Sequence, residues 1–148
     1  MKTTKCLTVL GLAAAVFCLS GCNRYQVTLN DRTIHTPPQL FSDFALADTG
    51  LQTCADQTIR DRNITQPGEL QLLNCSDGDI ASLDGIEVFS QINTLNLANN
   101  QLTTIAPLLA LPRLSAVNLE GNPRLDCAGA ATLAKQVAGQ LILPVHCR

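Results

Sequence analysis

Apolar residues in this chain recur every 22 positions, and that period limits the fold more than any other feature of it. The fullest copy runs from Ile92 to Ile105, as Ile92-Asn93-Thr94-Leu95-Asn96-Leu97-Ala98-Asn99-Asn100-Gln101-Leu102-Thr103-Thr104-Ile105. One period earlier, Leu70, Leu73, Cys75 and Ile80 fall on Ile92, Leu95, Leu97 and Leu102. One period later, Leu114, Val117, Leu119 and Asn122 fall on Ile92, Leu95, Leu97 and Asn100. A fixed period with apolar positions in register marks stacked units, none of which can bury its hydrophobic face alone. Repeat one spans Leu70 to Gln91, repeat two Ile92 to Arg113, and repeat three starts at Leu114. A second apolar set follows each short strand: Ile80, Leu83, Ile86 and Phe89, then Leu102, Ile105, Leu108 and Leu111.

A stack must cover its two apolar ends, and the flanking segments suit that task. The helical pattern begins at Ser42. Asp48 or Thr49 can cap a helix whose Leu51, Cys54, Ala55, Thr58 and Ile59 share one face. Arg60 to Asn63 ends it, and Pro67-Gly68 supplies a turn. On the far side, Asp126 can cap a helix from about Cys127 to Ala138, with Ala130, Leu133, Ala134 and Val137 on one face. Leu141-Ile142-Leu143-Pro144-Val145 then reads as a short extended segment.

The N-terminal residues read as an address. Lys2 and Lys5 precede an apolar run of 13 residues, Leu7 to Leu19. That run is roughly 20 Å long as a helix, short of the roughly 30 Å bilayer core, so a cleaved leader is expected rather than a membrane span. It ends in Leu19-Ser20-Gly21-Cys22, which resembles a bacterial lipobox; the alternative is an ordinary signal peptide cut nearby. The resemblance implies lipidation of Cys22, and several acyl chains make a durable anchor. It also implies the outer membrane of a Gram-negative cell, because Asn23 rather than Asp follows the cysteine. In the tether, Tyr25, Val27 and Leu29 alternate with polar residues, and Asn30-Asp31 offers a turn before Thr33 and Ile34. A hairpin and an extended spacer are both open there, with Thr36-Pro37-Pro38 ending any strand.

With Cys6 and Cys18 in the leader and Cys22 assigned to lipid, Cys54, Cys75, Cys127 and Cys147 remain. An even number in an exported chain implies two disulfides. Of three possible pairings, Cys54–Cys75 with Cys127–Cys147 is favoured, because each then clips one end of the stack. Loops of about 20 residues contribute on the order of 3 kcal/mol each. A zinc site built from all four is the alternative, but no CxxC pair occurs.

Leu95-Asn96-Leu97-Ala98-Asn99-Asn100-Gln101-Leu102 has the form LxLxxNxL. With Ile92 before it and Ile105-Ala106-Pro107-Leu108 after it, the string resembles the leucine-rich repeat, and most of all its internalin-like class of 22 residues. Repeat one carries Cys75 for Leu and Gly78 for Asn; repeat three carries Val117 for Leu and one extra residue in Asn122-Pro123-Arg124-Leu125. The fold expected is α/β: a short solenoid of about three repeats with parallel strands on the concave face and helical caps at both ends. Its divisions are 1–21 leader, 22–42 lipidated N-terminus and tether, 43–69 N-terminal cap, 70–122 repeats and 123–148 C-terminal cap.

Leu73, Cys75, Leu95, Leu97, Val117 and Leu119 then form the repeat core, since alternate strand residues point inward. Asn100 and Asn122 turn the chain, their amides bonding unpaired backbone groups of adjacent turns. The outward row is Asn74, Ser76, Thr94, Asn96, Ala98, Ala116, Asn118 and Glu120. The resemblance makes it the candidate surface for a protein partner of the envelope or the cell exterior. About three strands would make that sheet roughly 15 Å across, without the Trp, Tyr or Arg anchors that dominate interface energy. Asn74, Asn96 and Asn118 stack at one position, as either a self-satisfied polar ladder or a binding row. Asp77, Asp79, Asp84 and Glu87 read as a solvated acidic face rather than a calcium site, because their spacing matches no calcium loop.

The remaining composition excludes functions more than it assigns them. Ten basic side chains face twelve acidic ones, and loss of Lys2 and Lys5 with the leader makes the rest more acidic still. That opposes nucleic-acid binding, which rests on cationic neutralisation of phosphates. The absence of Trp and the single Tyr point to an aliphatic core. His35 and His146 are the only histidines, on opposite flanks of the chain. Ser76 and Ser115 lack a glycine elbow, and no HExxH, P-loop or GxSxG motif occurs. A monomeric binding module is expected, without catalytic residues, cofactor or metal; a structural spacer in the envelope is the alternative.

Overall fold

The structure is a computed structural model that describes residues 27–29 and 32–148; the leader, Cys22 and the rest of the tether lie outside the described residues. Two units are distinct, the second spanning Gln39–Arg148. In the first, β1 (Val27–Leu29) and β2 (Arg32–His35) pair antiparallel, with Leu29 opposite Arg32 and Thr28 opposite Thr33. Of the two readings left open by the sequence, the hairpin is the one observed.

In the second unit, α1 (Thr49–Arg62) precedes β3 (Leu72–Asn74), β4 (Thr94–Asn96) and β5 (Ala116–Asn118), then α2 (Ala130–Gln136) and β6 (Gln140–Ile142). The four strands are parallel in the order β3-β4-β5-β6. Register follows the sequence period: Leu73 lies beside Leu95 and Leu95 beside Val117. The stack does not stop at three strands. Val117 pairs with Leu141 and Asn118 with Ile142, so the apolar segment near the C-terminus forms a fourth rung after a longer step. At about 4.8 Å per strand this widens the sheet to roughly 19 Å.

The convex side is built from 3-10 turns at Ile86–Phe89 and Ala106–Ala110, followed in the last rung by α2. Their apolar residues meet the inward strand residues in one core: Ile80, Leu83, Ile86 and Phe89 of repeat one and Leu102, Ile105, Leu108 and Leu111 of repeat two are all buried. Buried with them are Leu73, Cys75, Leu95, Leu97, Val117 and Leu119. This double register explains why short strands and turns suffice. Each rung covers its neighbour, and only the end rungs need separate cover.

At the N-terminal end that cover is α1, which buries Leu51, Ala55 and Ile59. Asp48 caps it, accepting from the Gly50 and Leu51 N–H groups at 2.9 and 3.0 Å through Oδ1. Its Oδ2 accepts from the Ala81 and Ser82 N–H groups at 2.8 and 3.3 Å, tying the helix to repeat one. Residues 42–47 are not helical, contrary to the sequence pattern. They run as an irregular strap, because Leu46 N–H donates to Gln52 Oε1 and Ala47 N–H to the Asp84 carbonyl instead of to a local turn. Leu40 and Phe41, assigned to the tether by the sequence, pack on the core. Phe41 and Phe44 stack at 5.4 Å and both meet the ring of buried Phe89 edge-on. The core is therefore aliphatic along the stack but aromatic at its first corner.

The C-terminal helix is shorter than its pattern. Asp126 does cap the segment, accepting from Ala128 N–H at 3.1 Å, but the first turn, Cys127–Gly129, is 3-10. The helix ends at Gln136 because Val137 turns extended to deliver the chain to β6. Leu133 and Val137 are buried, whereas Ala134 is exposed. Gln136 Nε2 donates to the Leu111 carbonyl at 2.7 Å, docking α2 on the convex turn before it. The cysteines pair as favoured, Cys54 with Cys75 and Cys127 with Cys147, one pair at each end of the stack. All four sulfurs are committed to these two bonds, so in this state they do not form the four-cysteine site.

Candidate functional site on the concave face

Two asparagine columns serve different ends. Asn100 and Asn122 are inside, 1% and 0% exposed. Asn100 Oδ1 accepts from the Gly78 and Ile80 N–H groups, each at 3.0 Å, and its Nδ2 donates to the Cys75 and Leu97 carbonyls at 2.8 and 3.0 Å. Asn122 repeats this one rung on, accepting from Leu102 N–H at 3.1 Å and donating to the Leu119 and Leu97 carbonyls at 2.9 and 3.0 Å. The amide bonding expected from the sequence is thus present in both. The residue just before each asparagine lies in the left-handed region, Asn99 at φ 57° and Gly121 at φ 72°, as does Asp77 one rung earlier at φ 57°. At Gly121 a side chain would also run into Asn99, so the last copy of this turn needs glycine.

The second column faces outward. Asn96 Oδ1 accepts from Ala98 N–H at 3.1 Å and Asn118 Oδ1 from Glu120 N–H at 3.0 Å. Each asparagine thus closes its own local turn. Neither bonds the next asparagine across the rungs among the described residues, so the row is not a self-satisfied ladder. The Nδ2 groups of Asn96 and Asn118 carry no protein acceptor among the described residues and remain available to a ligand.

The structure places the expected row on one face of one sheet: Asn74, Thr94, Asn96, Ala116 and Asn118 in the strands, Ser76, Ala98 and Glu120 just beyond their ends. Thr94, Asn96, Ala98, Ala116 and Asn118 are half-buried, while Asn74 and Glu120 are exposed. A shallow groove of about 210 Å³ lies between β4, β5 and β6, walled by Thr94, Asn96, Ala116, Asn118, Gln140 and Ile142. The face is nearly neutral. Its one charge, Glu120, stands 3.4 Å from the Arg148 guanidinium, with both side chains about half exposed; such a surface pair contributes at most about 1 kcal/mol. The acidic residues Asp77, Asp79, Asp84 and Glu87 are all exposed, and Asp77 accepts from Asn99 Nδ2 at 3.0 Å.

Three members of this face were missed. Leu72, 38% exposed, occupies the position of Thr94 and Ala116; subtracting one period from Thr94 locates it. Gln140 and Ile142 belong to β6, whose step from β5 is two residues longer than the period, so a strict 22-residue comparison passes over them. Of the residues weighed for catalysis, His146 Nε2 donates to the Leu125 carbonyl at 3.0 Å, and Ser115 Oγ to the Asn93 carbonyl at 3.1 Å.

No family model matches the chain. A curated relative, the geranylgeranyl transferase type-2 subunit alpha of Bos taurus, is 37% identical over 65 residues, covering 42% of this chain and 12% of that protein. A Caenorhabditis elegans protein described as a probable U2 small nuclear ribonucleoprotein A' is 31% identical over 100 residues, covering 66% of this chain and 39% of that one. The chain thus spans from about a tenth to two fifths of the length of these relatives. Among solved structures, an internalin of Listeria monocytogenes superposes with a TM-score of 0.56 at 21% identity, covering 66% of this chain and 30% of that one. This likeness and the parallel rungs make the fold a short α/β leucine-rich-repeat solenoid.

Proposed function

We propose that this chain is a protein-binding module of the bacterial cell envelope, held to the outer membrane by lipid on Cys22 and receiving its partner on the concave face. One observation carries the binding reading: the outward row presents unspent amide donors at Asn96 and Asn118 above a shallow groove, between the small residues Ala98 and Ala116. Donors without an acceptor among the described residues, beside the small side chains at positions 98 and 116, favour close approach of another main chain. The sequence supports the anchor through the lipobox-like Leu19-Ser20-Gly21-Cys22. Among the described residues no helix is long and apolar enough to cross a membrane.

A photo-crosslinking residue at position 96 tests the face in intact cells. A discrete adduct is expected there, absent when the crosslinker sits at exposed Glu87, and lost when Ala98→Trp or Glu120→Lys is added with the melting midpoint unchanged. Replacement of Cys22 by Ser should move the protein from the membrane to the soluble fraction; continued acylation would refute the lipid assignment.

A second reading, a structural spacer, is favoured by the lack of aromatic or arginine anchors in the row. It predicts that position 96 yields no discrete adduct and that both face substitutions are silent.

A further inference from the structure

The side chains of Cys127, His146 and Cys147 converge where the last rung closes. The two cysteines form the C-terminal clip, and both sulfurs stand 3.9 Å from the Leu125 carbonyl oxygen. The same oxygen accepts from His146 Nε2 at 3.0 Å, and a ring nitrogen and the two sulfurs all lie within 4.8 Å of one another. Two thiolates and an imidazole are a zinc ligand set. A tetrahedral zinc with bonds of about 2.0–2.3 Å places its ligand atoms about 3.3–3.8 Å apart; the two sulfurs, joined in the disulfide, reach that spacing only when the bond is reduced. A backbone carbonyl that holds the imidazole in place is also the usual outer-shell partner of a metal-ligating histidine.

The two clips differ in access. In the N-terminal one, Cys75 is buried in the core at 3% exposure. In the C-terminal one both cysteines are half-buried, His146 is exposed, and a pocket of about 310 Å³ lined by Pro123, Pro144, Val145 and His146 opens beside it.

We propose that the Cys127–Cys147 clip is a redox-gated zinc site. A dithiol gives two electrons and two protons to the S–S bond and departs as its own disulfide, leaving two thiols. One zinc ion then binds Cys127, Cys147 and His146, displacing the two thiol protons and keeping a fourth position open towards the pocket. The ion takes over the tie between the 3-10 turn before α2 and the 3-10 turn Val145–Cys147 that follows β6, so the cap stays closed in both states.

The full chain is treated with dithiothreitol under native conditions, freed of it by gel filtration under nitrogen, and titrated with cobalt(II) and then zinc(II). Alkylation and peptide mapping should find Cys127 and Cys147 reduced with Cys54–Cys75 intact. The reduced chain should take up one cobalt with a thiolate-to-metal absorption band that zinc abolishes, and the oxidised chain none. Loss of an outer-shell partner alone weakens metal binding by about 10–100-fold, so His146→Ala, a surface change, should weaken it at least about tenfold while the oxidised variant melts like the parent. Earlier opening of Cys54–Cys75, a reduced chain that binds no metal or unfolds without rescue by it, or equal binding by His146→Ala would each overturn the proposal.

Discussion

Asn100 illustrates how one buried polar side chain can hold a stack together. A short strand leaves N–H and C=O groups unpaired where the chain turns from sheet to convex side, and away from water each costs about 1–3 kcal/mol. The Asn100 amide serves both kinds at once, across two rungs. Asn100→Ala should therefore cost about 2–4 kcal/mol in urea denaturation; a loss below about 1 kcal/mol would mean that water replaces the amide. Asp48 makes the same argument with a charge. Burial alone would raise its pKa, but N–H donors from Ala81, Leu51, Ser82 and Gly50 together outweigh that and hold it below the ordinary 3.8. A folded value below the unfolded one contributes stability that is fully present above about pH 4 and is lost as pH falls through the folded value. Asp48→Asn puts an amide N–H group where Oδ2 accepts from Ala81 and Ser82; it should be less stable than the parent by about 1–2 kcal/mol at pH 7, and the gap should shrink by pH 3. A pH-independent gap would contradict the charge-based account.

At the scale of elements, the end rungs are where covalent help matters. Each inner rung is covered on both sides, whereas β3 meets α1, a helix that contributes three buried residues. The Cys54–Cys75 bond joins these two elements over a sequence separation of 21 residues. Replacing both cysteines by alanine should lower stability by about 3 kcal/mol on the loop-entropy account, with amide exchange accelerated first in α1 and last in β4 and β5. Uniform acceleration would show that α1 is not a separable cap. The strap at residues 42–47 and the abrupt end of α2 show where element-level reading fails. Helical spacing is present in both, but Gln52 and Asp84 draw the first out of helix, and delivery of the chain to β6 ends the second.

For the whole molecule, the consequence of stacking is that no rung is stable without its neighbours. Leu95, 1% exposed, lies between β3 and β5 in the shared core. Leu95→Asp would bury a charge without a partner, and it should abolish the cooperative melt of the entire second unit rather than of one repeat. Leu72→Asp, one pleat away on the outward face, should leave the midpoint within about 0.5 kcal/mol of the parent. A soluble, cooperatively melting Leu95→Asp protein would show that the register is wrong.

The sequence by itself determined the solenoid, its register and the inner asparagine column. All of these follow from periodic apolar and polar positions, and a period survives in one dimension. Of the three disulfide pairings the sequence favoured one, and the folded chain decided it. Most of the candidate face was legible in the same way, because Asn96 and Asn118 must point opposite to Leu95 and Val117. Tertiary structure alone decided what breaks the period or joins distant stretches. β6 becomes a fourth rung at a longer step, Phe41 and Phe44 close the first corner on Phe89, and Asp48 bonds backbone 33 residues away. It also decided that the outward asparagines spend their oxygens locally and leave their N–H donors without an acceptor among the described residues, a matter of side-chain geometry that no spacing encodes.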